Sequence, residues 1–572
     1  VIYKIYMLGL VALFILFTAP GFLILRSQKF EGKIEKLFFL TLASFVLVGF
    51  FAQAIGLFFS ITPLILYLSA AALIVLVWPH KKELLDLFHF KTIKLERQDK
   101  IILFVLVFLL SLSAATLMLV PDKSYDSLSY HLPLIDDFAE DGRFSFYGEP
   151  ENVFHLRTNY YPKLFETIVG LFKGFSSTPF WKILPALMLA YAIGGIYFIS
   201  KLLKSPSLLG GLFFISSLIV FMQSTIFYAD IFTTALTLAA VFFIFKSFEK
   251  SNKRTLAFAG LFLGGVLATK FTGPLIVLAV ILFQFAKRRK LDEAFYLCLP
   301  AAIVGSMPYL STLFSGTEMR YVVGYPAQLL SNNIAQGIAL NLYRSAELLG
   351  QMLIVGHFFI LIPILFFAGF FHNKLKGFNR ATIIFFLALV MIPMGLTETG
   401  PQYYDLPRFI FPAVALMCVG AGIYGKNHAK LMGGGGRLFS IILMGLLLVN
   451  TVTIISHSES MIANSKNAAS IYSNLIPNEK STKTFYANTG HPIVYGLERT
   501  RIVDFYSYRN IDAIDCEFLK SDGVSHVVIF YPHENGPEFK NTEFITKIRQ
   551  ELIGGKCGNE LYKSFFVRIY KI

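Results

Sequence analysis

Charged side chains are scarce in this chain. Only 15% of its 572 residues are Asp, Glu, Lys or Arg, while 55% are hydrophobic, and the mean hydropathy is +0.61. A soluble domain carries about 25% charged residues, so a soluble globular protein is excluded. Cysteine is scarce as well: there are four, and none stands with His at a zinc-binding spacing. Cys298 and Cys418 fall in apolar runs and read as packing. Cys516 and Cys557 fall in the final polar segment, where an oxidising compartment permits a disulfide. No Walker-type phosphate loop occurs, and "GGGG" at 433–436 lies between apolar runs, where flexibility accounts for it. No solenoid-type repeat is visible. The first apolar run, 5–25, lacks the small-residue exit of a secretory signal and is followed by further runs, so it reads as an anchor.

Long apolar runs are what the chain has instead. Segments of about 20 apolar residues cross a bilayer. Fourteen candidates occur, at 5–25, 37–58, 61–78, 101–120, 179–200, 208–223, 228–245, 255–268, 273–286, 294–311, 351–371, 381–396, 409–425 and 438–456. The fold class expected is an all-α polytopic membrane protein of about 14 transmembrane helices with a small C-terminal α/β domain outside the membrane. The domains expected are 1–456, transmembrane, and 457–572, extracytoplasmic. In the latter, "HVVIFY" (526–531) and "FFVRIY" (565–570) read as strands, and 541–555 as a helix ending at Gly.

The net charge of +15 does not point to nucleic acid, because no basic, aromatic-interleaved soluble segment is present. The surplus lies in short loops. Lys29, Lys33 and Lys36 share one, Lys81 to Lys100 another, and Lys201, Lys246, Lys287, Lys374 and Lys426 mark the rest. Simple alternation of the spans puts all seven basic loops on one side, which the positive-inside rule makes cytoplasmic. The opposite side holds a long loop, 122–178, with nine acids (Asp122, Asp126, Asp136, Asp137, Glu140, Asp141, Glu149, Glu151 and Glu166) against five basic residues. Loops of this length are usually functional.

Four clusters collect on that opposite face. The loop offers Asp126, His131, His155, Arg157, Tyr161 and Glu166. "TIFYADIF" (225–232) offers Asp230, "LATKFTGP" (267–274) offers Lys270, and "ETGPQYYDLPRFIFP" (398–412) offers Tyr404 and Arg408. Singly, an ionisable residue at a span end is ordinary interfacial chemistry and a Tyr there is belt. Asp230, at the start of a span, also reads as a helix cap, and His131 as a structural hydrogen-bonder. Together on one face they point to a task, because charge at membrane depth is costly. A carboxylate can serve as general base, and Arg and Lys clamp phosphate oxygens.

"YDSLSYHLP", "NYYPKLFE", the G-x-x-x-G-x-x-x-x-TK run at 260–270 and "YYDLPRFIFP" resemble, in that order, the integral-membrane glycosyltransferases of the GT-C superfamily. The nearest branch is that of the protein O-mannosyltransferases and aminoarabinose transferases. The resemblance covers residues 100–425. It implies a many-helix fold, a catalytic Asp in the first large outer loop, and a polyprenyl-phosphate-linked sugar donor. Asp126 matches the loop Asp, Lys270 the Lys closing the "G…TK" span, and Arg408 the basic residue of an "RY-x-L-P"-like segment, here in the order "YYDLPR". Many relatives carry Asp-Glu in the loop; this chain has Asp126-Ser127, one carboxylate fewer for a divalent metal, so no metal ligand is assigned and metal dependence stays open.

The function expected is inverting sugar transfer from a polyprenyl phosphate to a hydroxyl of a glycan, lipid or protein acceptor. Asp126 takes the proton. His131, Arg157, Tyr161, Asp230, Lys270, Tyr404 and Arg408 bind substrate. The setting expected is the inner (plasma) membrane, amid membrane lipids, with the site outside the cytoplasm. A transporter would show paired halves and midplane charges. A ligase or polymerase of lipid-linked glycans would take an oligosaccharide diphosphate donor, and a scaffold would leave the acidic loop without a task.

Overall fold

Water is absent inside a bilayer, so an apolar run there satisfies its own backbone groups by coiling into a helix. The computed structural model describes residues 2–89, 97–119, 127, 131–144, 161–175, 179–249, 252–288, 291–314, 361–371, 375–396, 406–431, 445, 452–456, 475, 483–486, 501–504, 515–530, 551, 554–555, 558–563 and 567–572. Among the described residues, seven helices are long and apolar enough to cross a membrane: Lys33–Gly56, Pro63–Asp86, Gln98–Leu119, Pro179–Leu202, Asp230–Phe248, Asp292–Phe314 and Arg408–His428. Other expected spans are shorter helices, such as Lys253–Thr269 and Gly273–Arg288. The run 438–456 lies largely outside the described residues; within it, 445 and 452–456 are helical.

The run at 208–223 departs from expectation. It forms two helices, Leu209–Ile215 and Leu218–Gln223, broken at the buried pair Ser216 and Ser217. Ser217 takes an extended backbone with ψ 118°, and its hydroxyl donates to the Phe213 carbonyl at 3.1 Å. A hydroxyl standing in for a lost backbone bond is what lets a helix break at such depth.

Two compact units divide the chain. One comprises Val1–Ala115, Leu134–Ser145 and Tyr160–Ser456; the other Thr116–Pro133, Phe146–Asn159 and His457–Ile572. The long loop 122–178 is therefore shared between them.

In the first unit, 83% of the Asp230–Phe248 window and 78% of the Arg408–His428 window are buried, against 17% for Pro63–Asp86 and 28% for Gln98–Leu119. The first two are central, and the last two turn most of their surface outward. The Asp230–Glu249 and Lys253–Thr269 helices pack together as a hairpin, and Lys253–Thr269 packs in turn on Leu291–Gly305. Glycine makes the second contact close. A Cβ on Gly260 would overlap the Leu297 carbonyl oxygen, and one on Gly264 would come within 2.6 Å of the Val304 Cβ. The G-x-x-x-G of the sequence is thus a helix-packing device, and it fixes the height at which Lys270 emerges.

The second unit holds a five-stranded sheet: β1 (Lys483–Tyr486), β2 (Arg501–Asp504), β3 (Val524–Phe530), β4 (Asn559–Lys563) and β5 (Val567–Lys571), in the order β2-β1-β3-β5-β4. β1 runs parallel to β2 and β3, while β5 runs antiparallel to β3 and β4. Both expected strands are there. The helix expected at 541–555 lies largely outside the described residues. Val527 and Tyr570, opposite each other on β3 and β5, are buried on one face of the sheet, and Ile569 is buried on the other. Cys516 is disulfide-bonded. Cys298 and Cys418 are free, and Cys557 lies outside the described residues.

Gly260→Ala is expected to destabilise the protein by about 1–3 kcal/mol, the usual cost of overpacking. Gly377→Ala, where an added Cβ meets nothing within 4 Å, serves as control. Thermal melts in detergent compare the two, and equal melting temperatures would remove the packing role of Gly260.

Candidate active site

The hairpin decides what meets at one end of the bundle. Its helices, 20 and 17 residues long, are of similar height at about 1.5 Å per residue. The residue that opens the first therefore lies beside the residue that closes the second. These are Asp230 and Lys270. Lys270 caps the Lys253–Thr269 helix with extended backbone, and its Nζ forms an ion pair with Asp230 Oδ1. The Asp230 side chain is 4% exposed and that of Lys270 17%, so the pair is shielded from water yet open on the lysine side.

A second cation stands next to it. Arg408 lies in the 3-10 turn Leu406–Ile410, just before the Phe411–Leu431 helix. Its guanidinium sits 4.6 Å from the Tyr228 ring and 5.2 Å from the Phe409 ring. The Lys270 ammonium lies 4.4 Å over the same Phe409 ring. Phe409 therefore spaces the two cations, each attracted to an aromatic face. Tyr228 is placed by the turn between the Leu218–Gln223 and Asp230–Glu249 helices. Ser224 in that turn is bonded to Ser113, hydroxyl to hydroxyl at 2.8 Å. Tyr161 joins through the residue after Lys270: its ring meets Phe271 edge-on at 4.6 Å.

Asp230, Lys270, Arg408 and Tyr161 are thus gathered in one unit from segments up to 247 positions apart. His131 is buried and belongs to the second unit, as does Ser127, which follows Asp126. Asp126, Arg157 and Tyr404 lie outside the described residues. Among the described residues, no group of three or more His, Cys, Asp or Glu is placed to hold a metal.

One charged group escaped the sequence reading. Lys163, just ahead of the Leu164–Phe175 helix, is 3% exposed. Burial pushes its amine down to about 7, against the opposing pull of the Glu166 and Asp137 carboxylates. Its Nζ lies 5.3 Å over the Phe144 ring, and its carbonyl accepts from the Thr167 hydroxyl at 2.7 Å. The signal in sequence was faint, a Lys three residues before Glu166 within "YYPKLFE".

Residues 164–311 match a family model described as dolichyl-phosphate-mannose-protein mannosyltransferase. No curated protein matches the chain by sequence similarity. Among solved structures, it is similar to ArnT from Cupriavidus metallidurans bound to undecaprenyl phosphate, with a TM-score of 0.54 and 12% identity over 83% of this chain and 98% of that one. The apo state of that protein gives 0.49 and 11% over the same shares. The Archaeoglobus fulgidus oligosaccharyltransferase gives 0.41 and 14% over 75% of this chain and 68% of that one. The chain is a multi-pass membrane protein with the fold of the GT-C integral-membrane glycosyltransferases. The segment that matches the family model carries Asp230 and Lys270.

Lys163 yields a pH prediction. Its amine titrates near 7 when folded and near 10.4 when unfolded. Between those values the unfolded chain holds the extra proton, so stability rises with pH from about 7 to about 10 and is flat below. In Lys163→Met this rise is lost and the melting temperature at pH 6 goes up, read by melts across pH 6–10 in detergent. An unchanged profile would refute the assignment.

Proposed function

We propose that this chain moves a sugar from a polyprenyl-phosphate donor to an acceptor hydroxyl at the outer face of the membrane, with inversion at the anomeric carbon. The observation that carries the reading is the meeting of Lys270 and Arg408 at the ring of Phe409, with Asp230 paired to the lysine. Two cations at one end of an apolar bundle suit a lipid-linked phosphate: its oxygens meet charge while its chain stays among apolar helices. The similar structure of ArnT is bound to undecaprenyl phosphate, and the matched family's description specifies a dolichyl-phosphate sugar. Both support a polyprenyl-phosphate donor. The clustering of basic loops on the other side supports an outer-face site.

In this mechanism the acceptor oxygen attacks the anomeric carbon from the face opposite the phosphate. Asp126 takes the hydroxyl proton as that bond forms. The bond to the phosphate oxygen breaks, and its electron pair leaves with the lipid phosphate. Lys270 and Arg408 neutralise the charge that gathers there, in a site shielded from water where such stabilisation is strongest. Asp230 holds the Lys270 ammonium in place. Tyr161, set edge-on to Phe271, offers a ring for a sugar face, while His131, Arg157 and Tyr404 complete the substrate contacts.

The test uses purified protein in membrane extract with radiolabelled polyprenyl-phosphate sugars, following label as it leaves the lipid. Asp126→Asn is expected to lower transfer by about 10²–10⁴, the worth of a general base. Lys270→Met is expected to lower it by about 10²–10³. Wild-type transfer by a folded Asp126→Asn protein would overturn the base assignment. Arg408→Lys keeps the charge but loses the planar fork that stacks on Tyr228 and Phe409, and is expected to reduce kcat more than Lys270→Arg does.

A further inference from the structure

One buried charged group beside the site has no part in the transfer step. Lys163 is 3% exposed. Its carbonyl accepts from the Thr167 amide at 2.9 Å, so it opens the Leu164–Phe175 helix. A cation is disfavoured at a helix N-terminus and again by burial. Both effects favour an apolar side chain at this position. A lysine kept there regardless points to a task rather than to stability.

Its surroundings narrow the task. Two residues before it, the Tyr161 ring meets Phe271 edge-on at 4.6 Å, and Phe271 follows Lys270 in the chain. Two residues after it, the Phe165 ring lies 6.2 Å from that of Phe232, which stands two positions beyond Asp230. Lys163 thus sits between two contacts to the end of the hairpin that carries the ion pair. A second element faces it. The Leu132–Asp141 helix packs closely on the Leu164–Phe175 helix: a Cβ on Gly170 would lie 3.0 Å from the Phe138 ring, and one on Gly174 would lie 2.8 Å from the Ala139 carbonyl oxygen. Lys173 pairs with Asp136 across the same seam. Among the described residues, the charged groups that act on Lys163 are Glu166, on its own helix, and Asp137, on the facing one. The Lys33–Gly56 helix, packed on the same helix, brings a neutral group instead: Gln53 donates to the Thr167 hydroxyl at 3.1 Å.

We propose that Lys163 is a positioning residue of the sugar site: drawn to Asp137 and Glu166, it fixes the stretch 161–165 and so sets the Tyr161 ring against the donor's sugar. This rests on the donor being a polyprenyl-phosphate sugar with Tyr161 at its sugar face. The tie is strong only while the amine is charged, and burial brings its titration down to about 7. Below that value the ammonium is drawn to both carboxylates. Above it the attraction goes, and Tyr161 is held less firmly. The sugar feels the difference and the lipid phosphate does not, because the phosphate meets Lys270 and Arg408.

The test is equilibrium binding to the full chain in detergent, at pH 6 and pH 9. The probes are undecaprenyl phosphate alone and a panel of undecaprenyl-phosphate hexoses and pentoses. At pH 6, Lys163→Met is expected to weaken the tightest-held sugar lipid about tenfold, the worth of one well-placed contact, and to leave bare undecaprenyl phosphate unchanged. Wild type at pH 9 is expected to prefer the sugar lipid over the bare one as little as Lys163→Met does at either pH. Asp137→Asn, at a half-buried position, is expected to weaken the sugar lipid about threefold, and it carries the test should Lys163→Met fail to fold. In a Tyr161→Ala protein, Lys163→Met is expected to add nothing. Equal loss for both lipids, or no loss in either variant, overturns the role of Lys163; the donor reading still stands in that case if Lys270→Met weakens both lipids. A wild type that holds neither lipid overturns the donor reading, and this inference with it.

Discussion

The ion pair between Asp230 and Lys270 is the constraint on which the arrangement of this bundle end depends. A lone ammonium among apolar helices is costly, and neutralising it demands a carboxylate at the same height. The Asp230–Glu249 and Lys253–Thr269 helices meet this demand by being a tight hairpin of matched length. Height is fixed in turn by the close seating of Gly260 and Gly264 on the Leu291–Gly305 helix. Small residues deep in the bilayer and charged residues at its border are therefore parts of one device: backbone contact below sets the position of the ammonium above.

Arg408 is held differently. It comes from the 3-10 turn Leu406–Ile410, far along the chain, and rests between the rings of Tyr228 and Phe409. A guanidinium stays charged and stacks well on aromatic faces. One cation is thus held against a carboxylate and the other against rings. The opposite end repeats the theme with other means. There Lys246 rests on Phe30 and Phe242 while Glu35 steadies it.

Much of this was legible in the sequence, for reasons that differ by residue. Asp230 and Lys270 stood out because each interrupts an apolar run at its border, where hydropathy changes sign within one residue. Arg408 was visible beside an aromatic run for the same cause. The break at Ser216–Ser217 was hidden, because two serines in "GLFFISSLIVF" barely lower the hydropathy of a window; only the Ser217 hydroxyl on Phe213 reveals it. Gly260 and Gly264 were read as part of a motif, and the structure gives the motif its cause in packing. Lys163 could not be found from pattern, since burial of a loop lysine is decided by what folds over it. The two strands at 524–530 and 567–571 were plain from their β-branched and aromatic runs, whereas the pairing of the first with β1 and with β5 is long-range.

The pairing of Lys270 with Asp230 bears on how a phosphate would be received. Two unit charges 4 Å apart attract by about 4 kcal/mol at an effective dielectric of 20. A phosphate that replaced Asp230 outright would gain little, since one ion pair would be exchanged for another and a buried carboxylate left alone. Approach from the open side of Lys270 avoids this. The ammonium has three donors, of which Asp230 occupies one direction, and the side chain is more exposed than that of its partner. A phosphate placed there has Arg408, which also contacts Phe409, nearby, and adds its attraction without removing the existing pair. On this geometry Asp230 is a positioning residue rather than a competitor. The buried carboxylate that looks like a helix cap in the sequence is instead the ion-pair partner of Lys270.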